Sequence, residues 1–530
     1  VNNSTLSDST KKLIVEVLRS FIWLNQQLED KTLTVKKLLR IFFGKKSEKN
    51  NDPLIQAGRN GKAKNDNNPD GNSSESTPKE GSPAGGSGRK SKGNGHGKTP
   101  SRAYSKAEHI QLSHPELKPG MECPECSDAN LYRFGYGSVL RIFGQPSLVP
   151  KVYEPEHLRC QSCQAFFSAP LPAEAGTERF HPTAKSIICL SAYATGVPFY
   201  RLERSQKNLG APVPDSTQWD CVEDVANVAK PVHSVLEQIG ANGHTMFHDD
   251  TKNRIQSLMG ENKALAETNP NARIGIFTTG IVSLTENYPV MLFYSGRRYA
   301  GENLRKLLEK RSKESRPLMQ VGDASPCNFV EEFESILVKC LDHGRRNFKD
   351  IEESFPIECG HVIRELGKVY HNDAICKEKG MTPELRLAFH QEYSAPIMDE
   401  LKLRMEQLLE AKQVEPNGKL GRAFRYMLKH WPGLTQFLRV VGAPLSNGPV
   451  ERLLKTLVIR RKNSLIHRTE VGAWVADILM STIQTAIAAK ANPFEYLTAL
   501  QIHRKAVREA PDSWLPWNYL QNLKESAVPA

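Results

Sequence analysis

Three acidic residues stand where a metal-dependent reaction could use them. Asp249 closes the run HTMFHDD, Asp323 closes PLMQVGD, and Glu451 follows Asn447 by four residues in SNGPVERLLK. Carboxylate oxygens are hard donors suited to Mg2+ or Mn2+. Two such ions about 3.5 to 4 Å apart activate an attacking oxygen and stabilise a leaving one in phosphoryl transfer. Most Asp and Glu residues are simply solvated, so these acids gain meaning only from the elements that carry them. Asp250 directly follows Asp249 and is an alternative first acid.

HTMFHDD, RIGIFTTGIVSL, YPVMLFYSG and PLMQVGD have the apolar and β-branched content of strands, and GENLRKLLEKR between the last two has that of a helix. Three strands, a helix and a further strand is the order of a ribonuclease H-like mixed sheet, in which acids ending strands one and four lie side by side. Ser446 or Asn447 can cap a helix that Pro449 helps start, which puts Glu451 in its first turn facing the aspartates. Arg452, Lys455, Arg460, Arg461 and Lys462 follow closely, as suits an enzyme that binds phosphate chains. The 128 residues from Asp323 to Glu451 exceed what a bare core needs. PIMDELKLRMEQLLEAK and GRAFRYMLKHW have helical periodicity, which predicts a helical insertion at about 350–440. His343, Arg345 and Arg346 just precede it. They are either phosphate contacts, through paired guanidinium groups, or a surface cluster capping the preceding segment.

Upstream, Cys123, Cys126, Cys160 and Cys163 form two CxxC pairs, the spacing of a structural Zn2+ ribbon over 109–172. All four ligands would be protein atoms, so that metal organises the fold and has no open catalytic position. Residues 1–46 carry a heptad seam (Ile14, Phe21, Leu28, Val35, Phe42, with Val17, Leu24 and Leu38), broken only by Lys31. It reads as a coiled coil that dimerises, or as one amphipathic helix docked on its own chain. Residues 47–108 are rich in Gly, Ser, Asn, Pro and Lys and read as a disordered basic linker. Three short helical runs over 173–240 fit a helix-turn-helix DNA reader with Arg201, Arg204 and Lys207 on its middle helix, or a plain helical connector. The multidomain α/β reading then places the catalytic core at 241–495 and a C-terminal tail at 496–530. With 71 basic against 59 acidic residues, the net charge of +12 favours an anionic partner such as nucleic acid. Ten cysteines in 530 residues, four of them in metal-type pairs, suit a reducing compartment. No apolar run reaches the roughly 18 to 20 residues of a membrane span, and the polar amino terminus argues against a signal peptide. A cytoplasmic setting without a membrane partner is expected.

Several ordered segments resemble motifs of the insertion sequence 66 family of DDE transposases. They are FHDDT (247–251), CLDHGRRNF (340–348) and NGPVER…RRKNSLI (447–466), with FGKKSEK (43–49), GVPFYRLER (196–204), HWPGL (430–434) and NPFEYLTAL (492–500). The resemblance implies a ribonuclease H-like core and an Asp249–Asp323–Glu451 triad using magnesium or manganese. It implies 3′-end cleavage at the ends of a mobile element and strand transfer into target DNA. Partners would be the terminal inverted repeats, the target DNA, further copies of the chain and accessory proteins of the same element, at the bacterial nucleoid. Position in FHDDT favours Asp249 over Asp250. Where the family has an Asp ahead of the Asn of its third motif, this sequence has Leu445. The alternative is a decayed, catalytically inactive zinc-containing DNA-binding protein acting as a repressor, against which three intact acids argue.

Overall fold

A five-stranded mixed sheet positions the acids. The computed structural model describes residues 114–526 apart from 123, 125–129, 133–146, 160, 162–165, 270 and 314. The heptad segment, the basic linker and all four ribbon cysteines lie outside the described residues. The chain divides into Val1–Gly144 and Gln145–Ala530. In the first unit Glu122 and Asn130 make an antiparallel bridge, beside a Gly120 N–H to Leu131 carbonyl bond of 2.7 Å. The features that follow belong to the second.

A small antiparallel pair, β1 (His157–Arg159) and β2 (Phe166–Ser168), precedes three helices, α1 (Pro182–Tyr193), α2 (Phe199–Asn208) and α3 (Asp215–Ala241). Then come β3 (Thr245–Lys252), α4 (Gln256–Thr268), β4 (Phe277–Leu284), β5 (Val290–Gly296), α5 (Ala300–Leu308), β6 (Leu318–Gly322) and β7 (Ser335–Lys339). The sheet order is β5-β4-β3-β6-β7, with β3, β4 and β5 antiparallel and β6 and β7 parallel to β3. Helix α4 and strand β7 have no counterpart in the sequence reading. The third upstream helix is not short either: α3 runs 27 residues. Its Val222, Val225, Ala229, Val232 and Leu236 share one apolar core with Met246, Ile281, Leu292 and Phe293 of the sheet.

After β7 the chain is helical: α6 (Leu341–Lys349), α7 (Pro356–Glu378), α8 (Pro383–Tyr393), α9 (Ala395–Glu410) and α10 (Lys419–Leu434). These helices enclose a second core that includes Phe348, Leu366, Met398, Met405, Phe424, Met427 and Phe437. Gly344 lets α6 approach α10 closely, since a Cβ there would lie 2.5 Å from Met427 Sδ. The chain returns to the sheet through α11 (Gly448–Ser464), α12 (Glu470–Ala488) and α13 (Pro493–Ile502), and ends in α14 (Arg504–Glu509) and α15 (Tyr519–Ser526). The segment expected as a C-terminal tail is therefore packed. Tyr496, Leu500, Val507, Trp514 and Tyr519 are buried in the main core, and the Tyr496 hydroxyl donates to the Trp514 carbonyl at 2.7 Å. Large aromatic and aliphatic side chains at helical spacing give this segment enough apolar surface to dock.

Helix α12 closes one edge of the sheet. The N–H groups of Met291, Phe293 and Ser295 on β5 donate to Thr485 Oγ1 (3.0 Å), Ser481 Oγ (3.0 Å) and Asp477 Oδ2 (2.7 Å). Two residues along a strand advance about 6.8 Å and four along a helix about 6.0 Å, so acceptors four apart on α12 meet donors two apart on β5. Unpaired strand edges invite association with other chains, and here side chains satisfy that edge. Among the described residues, α12 is also the one helix long and apolar enough to cross a membrane. It lies mostly buried against β5, as a core helix.

Replacing Ser481 and Thr485 together with Ala should leave two buried strand N–H groups without acceptors, at about 1 to 3 kcal/mol each. Urea unfolding measures this directly. A double mutant within about 0.5 kcal/mol of the parent, the range of neutral surface changes, would remove the edge-capping account.

Candidate active site

Side chains alternate along β3, so Phe247, Asp249 and Thr251 point to one face and His248 and Asp250 to the other. Asp249 pairs with Gly280 on β4. A Cβ at Gly280 would lie 3.0 Å from Leu454 Cδ2 and 3.2 Å from Val450 Cγ2, so α11 rests on the sheet where residue 280 has no side chain. Asp249 points to that face, and Glu451 is the next residue of α11 after Val450. Parallel pairing of β3 with β6 sets Phe247 beside Val321. The pairing ends there; Asp323 directly follows the last residue of β6, near enough for its charge to act on Asp249.

Burial pushes the Asp249 carboxyl up to about 7, opposed by a hydrogen bond from the Asp250 N–H and reinforced by the negative charges of Asp323, Asp250 and Glu451. That N–H lies 2.8 Å from Asp249 Oδ1. Asp323 Oδ1 accepts from the Ser325 N–H at 3.0 Å and from the Asn328 side-chain amide. Asp250 is engaged differently. Its Oδ1 accepts from the Thr279 hydroxyl and its Oδ2 from the Ala300 N–H, both at 2.6 Å, which ties β3 to β4 and to the start of α5. Burial raises its pKa as well, but both oxygens have partners.

Glu451 lies half-buried in the first turn of α11, with Oε1 3.9 Å from His343 Nδ1. The expected capping does not occur. Asn447 occupies the N-cap position without a side-chain cap, and its amide instead donates to the His248 carbonyl on β3 at 3.0 Å. Leu445, at the position where the resembling family has Asp, is buried in the second core, and its carbonyl accepts from the Leu341 N–H at 2.9 Å.

The basic residues behind Glu451 separate into two groups. Arg452, Lys455 and Lys462 are exposed along one face of α11. Arg461 is half-buried and donates to the Thr251 hydroxyl at 3.2 Å and to the Lys252 carbonyl. Arg460 is buried, its guanidinium 4.6 Å from the Tyr193 ring centre. His343 turns toward Glu451, Arg345 packs 5.6 Å from the centre of the Tyr370 ring, and Arg346 is exposed. The two guanidinium groups thus do not stand equally open, as a paired clamp would require.

Sequence reasoning missed a second basic surface. Arg422, Arg425 and Lys429 on α10 are exposed around an open concavity of about 600 Å³ that Tyr426 and His430 also line. Lys339 Nζ lies 2.9 Å from His430 Nδ1. Burial first, then the Lys429 charge, lowers the Lys339 pKa, and burial, Lys339 and Lys429 lower that of His430. Burial and the Asp323 charge push the Tyr426 phenol up to about 12, so this cationic surface adjoins the acids. Its spacing at positions 422, 425 and 429 on a helix was the available signal.

Asp249, Asp323 and Glu451 offer hard oxygen donors. Burial and the neighbouring charges of Asp323, Asp250 and Glu451 raise Asp249, a condition that a divalent cation relieves. By donor type the three carboxylates suit Mg2+ or Mn2+; among the described residues, the donor atoms that all lie within 4.8 Å of one another are those of Cys340, His343 and Glu451.

A family model described as "Transposase IS66 family" matches residues 178–474, more than half of the chain. The chain belongs to that family of transposases. Uncharacterized protein y4jD of Sinorhizobium fredii is 28% identical over 187 residues, 34% of this chain and 36% of that protein. Uncharacterized protein y4hP of the same organism is 21% identical over 429 residues, 74% of this chain and 72% of that one. The match to y4jD thus spans about a third of that protein's length, and the match to y4hP about three quarters. No solved structure matches the chain.

The contrast between Asp249 and Asp250 has a measurable consequence for stability in EDTA. The Asp249 pKa of about 7 lies above the ordinary 3.8, so between those values the folded state holds the extra proton. Its contribution therefore favours folding at acid pH and is lost as pH rises through about 7. Asp249→Asn should flatten that decline between pH 5 and pH 8, whereas Asp250→Ala should destabilise at both, by about 1.5 to 3 kcal/mol for each charged hydrogen bond removed. Identical pH profiles for Asp249→Asn and the parent would sink the account of Asp249.

Proposed function

We propose that this chain cleaves DNA at the 3′ ends of a mobile element and joins the freed ends to target DNA, through Asp249, Asp323 and Glu451 on a ribonuclease H-like core. The observation that supports the reading most is the raised pKa of Asp249, to which burial and the charges of Asp323, Asp250 and Glu451 contribute. Asp249, rather than Asp250, is the first acid, because both Asp250 oxygens are engaged in joining β3 to β4 and α5, through Thr279 and Ala300. Mg2+ or Mn2+ held by the three carboxylates supplies Lewis acidity and charge neutralisation at the scissile phosphate. Both reactions are in-line displacements at phosphorus, with water as nucleophile in the first and a 3′-hydroxyl in the second. Asn447 and the close approach at Gly280 seat the start of α11, which carries Glu451, on β3 and β4.

Exposed Arg452, Lys455, Lys462 and Arg346 are suited to the DNA backbone near the cut, and Arg422, Arg425 and Lys429 extend that positive surface. Cys123, Cys126, Cys160 and Cys163 hold a structural Zn2+, and residues 1–46 pair copies of the chain at the terminal inverted repeats. The protein works in the cytoplasm at the nucleoid, with accessory proteins of the same element.

Asp249→Ala, Asp323→Ala and Glu451→Ala should each abolish magnesium-dependent nicking of an element-end duplex while leaving duplex binding at the parental level. Retained nicking in any one removes that residue from the triad, and binding by the parent without nicking would make it a repressor. Reversing Arg422, Arg425 and Lys429 to Glu should weaken duplex binding and reduce the slope of log affinity against log salt by about 0.9 for each phosphate no longer neutralised. An unchanged slope would exclude this surface from the DNA path.

A further inference from the structure

A second donor set meets Glu451 from the other side. Cys340 Sγ, His343 Nδ1 and a Glu451 carboxylate oxygen all lie within 4.8 Å of one another. Cys340 is the N-cap residue of α6, His343 is that helix's third residue, and Glu451 is in the first turn of α11. His343 Nδ1 and Glu451 Oε1 are 3.9 Å apart, too far to hydrogen-bond. Both atoms are buried and lack a partner among the described residues. Buried polar side-chain atoms are nearly always partnered, so two facing atoms without partners mark a place where something sits between them.

The sulfur gives that place its chemistry. Cys340 is buried at the end of β7. The Asn447 N–H reaches the sulfur at 3.2 Å. The thiolate is the form that ligates metal, and a cation bound there would displace the thiol proton to solvent. Donors at about 2.0 to 2.2 Å from one ion span up to about 4 Å between them, so a 3.9 Å gap accommodates an ion at an open angle. Sulfur, imidazole and carboxylate together suit a borderline cation such as Zn2+, whereas Mg2+ prefers oxygen alone.

We propose that Cys340, His343 and Glu451 hold a borderline divalent transition-metal ion, Zn2+ by donor type, in a site that shares Glu451 with the strand acids but does not include them. Bound there, the ion ties the start of the helical segment to α11 and orients the Glu451 carboxylate. The inference rests on the donor geometry and uses the strand-transfer reading only for the role of Glu451.

The test counts zinc in the full chain after dialysis, comparing the parent with Cys340→Ser, His343→Gln and Asp249→Asn. Each of the first two should hold about one zinc fewer than the parent, and Asp249→Asn should match the parent. Zinc bound by Cys123, Cys126, Cys160 and Cys163 cancels in these differences. With Co2+ in place of zinc, the parent-minus-Cys340→Ser spectrum should contain a thiolate-to-cobalt charge-transfer band. Thermal unfolding in EDTA, matched to the parent, separates metal loss from misfolding, and His343→Gln serves where Cys340→Ser fails to fold. Equal zinc in parent, Cys340→Ser and His343→Gln overturns the proposal, leaving a bridging water between His343 and Glu451. Loss of zinc in Asp249→Asn also overturns it, because the ion then belongs to the strand acids. If the parent cannot nick DNA but the zinc difference persists, the strand-transfer reading fails and this site stands.

Discussion

The seating of α11 on β3 and β4 is the constraint on which the rest depends. It needs a strand position without a side chain, and Gly280 supplies it beneath Val450 and Leu454. It needs a polar anchor, and the Asn447 amide supplies it by donating to the His248 carbonyl. Asn447 joins α11 to β3 and also to the junction of β7 and α6, where its own N–H donates to Cys340 Sγ. A helix start held at the His248 carbonyl and the Cys340 sulfur resists rolling, which limits where Glu451 can stand. The favourable contact of α11 is apolar, but its register is polar.

Asp477, which is buried, and Asp249 and Asp250, which are half-buried, show how the protein handles carboxylates withdrawn from water. Asp477 accepts from the Ser295 N–H and hydroxyl, and Asp250 accepts from Thr279 and Ala300. Both join structural elements. Asp249 is also withdrawn from water, yet it accepts from the adjacent Asp250 N–H, which joins no second element, and other acids surround it. A group left poorly compensated among like charges costs stability, and such local inconsistency is typical of functional sites. Buried atoms without a hydrogen-bond partner among the described residues recur at His343 and Glu451.

Much of the sheet was legible because its first strands are long, β-branched and bounded by polar turns. Strand β7 was not, since SILVK is five residues with no partner evident in sequence. Helix α4 was hidden in a polar stretch whose burial rests on little more than Leu258 and Asn262. The acid doublet stayed ambiguous because alternation shows that Asp249 and Asp250 point to opposite faces but not which face α11 covers. Gly280 decides that, and one glycine in a strand carries no such message alone. Asn447 looked like a cap because caps are local, whereas its real partner is 199 residues away in sequence. The basic run after Glu451 was legible as charge but not as geometry: only packing tells exposed Lys462 from Arg461, bound to the end of β3.

The placement of the helical segment follows from how its ends meet. The chain leaves the sheet at Cys340 and returns at Leu445, and there the Leu341 N–H donates to the Leu445 carbonyl. Closing a long segment costs only about 0.6 kcal/mol more for each doubling of its length. Ends already joined by a hydrogen bond, with a second core of their own, let such a segment fold without pulling on the strands. Leu445 is apolar for the same reason: its side chain belongs to that second core while its carbonyl closes the neck. An Asp there would place a charge among Leu341, Phe437 and the rest of that cluster. In this chain the neck is therefore sealed by packing, and the acids beside it keep the sheet's geometry rather than the insertion's.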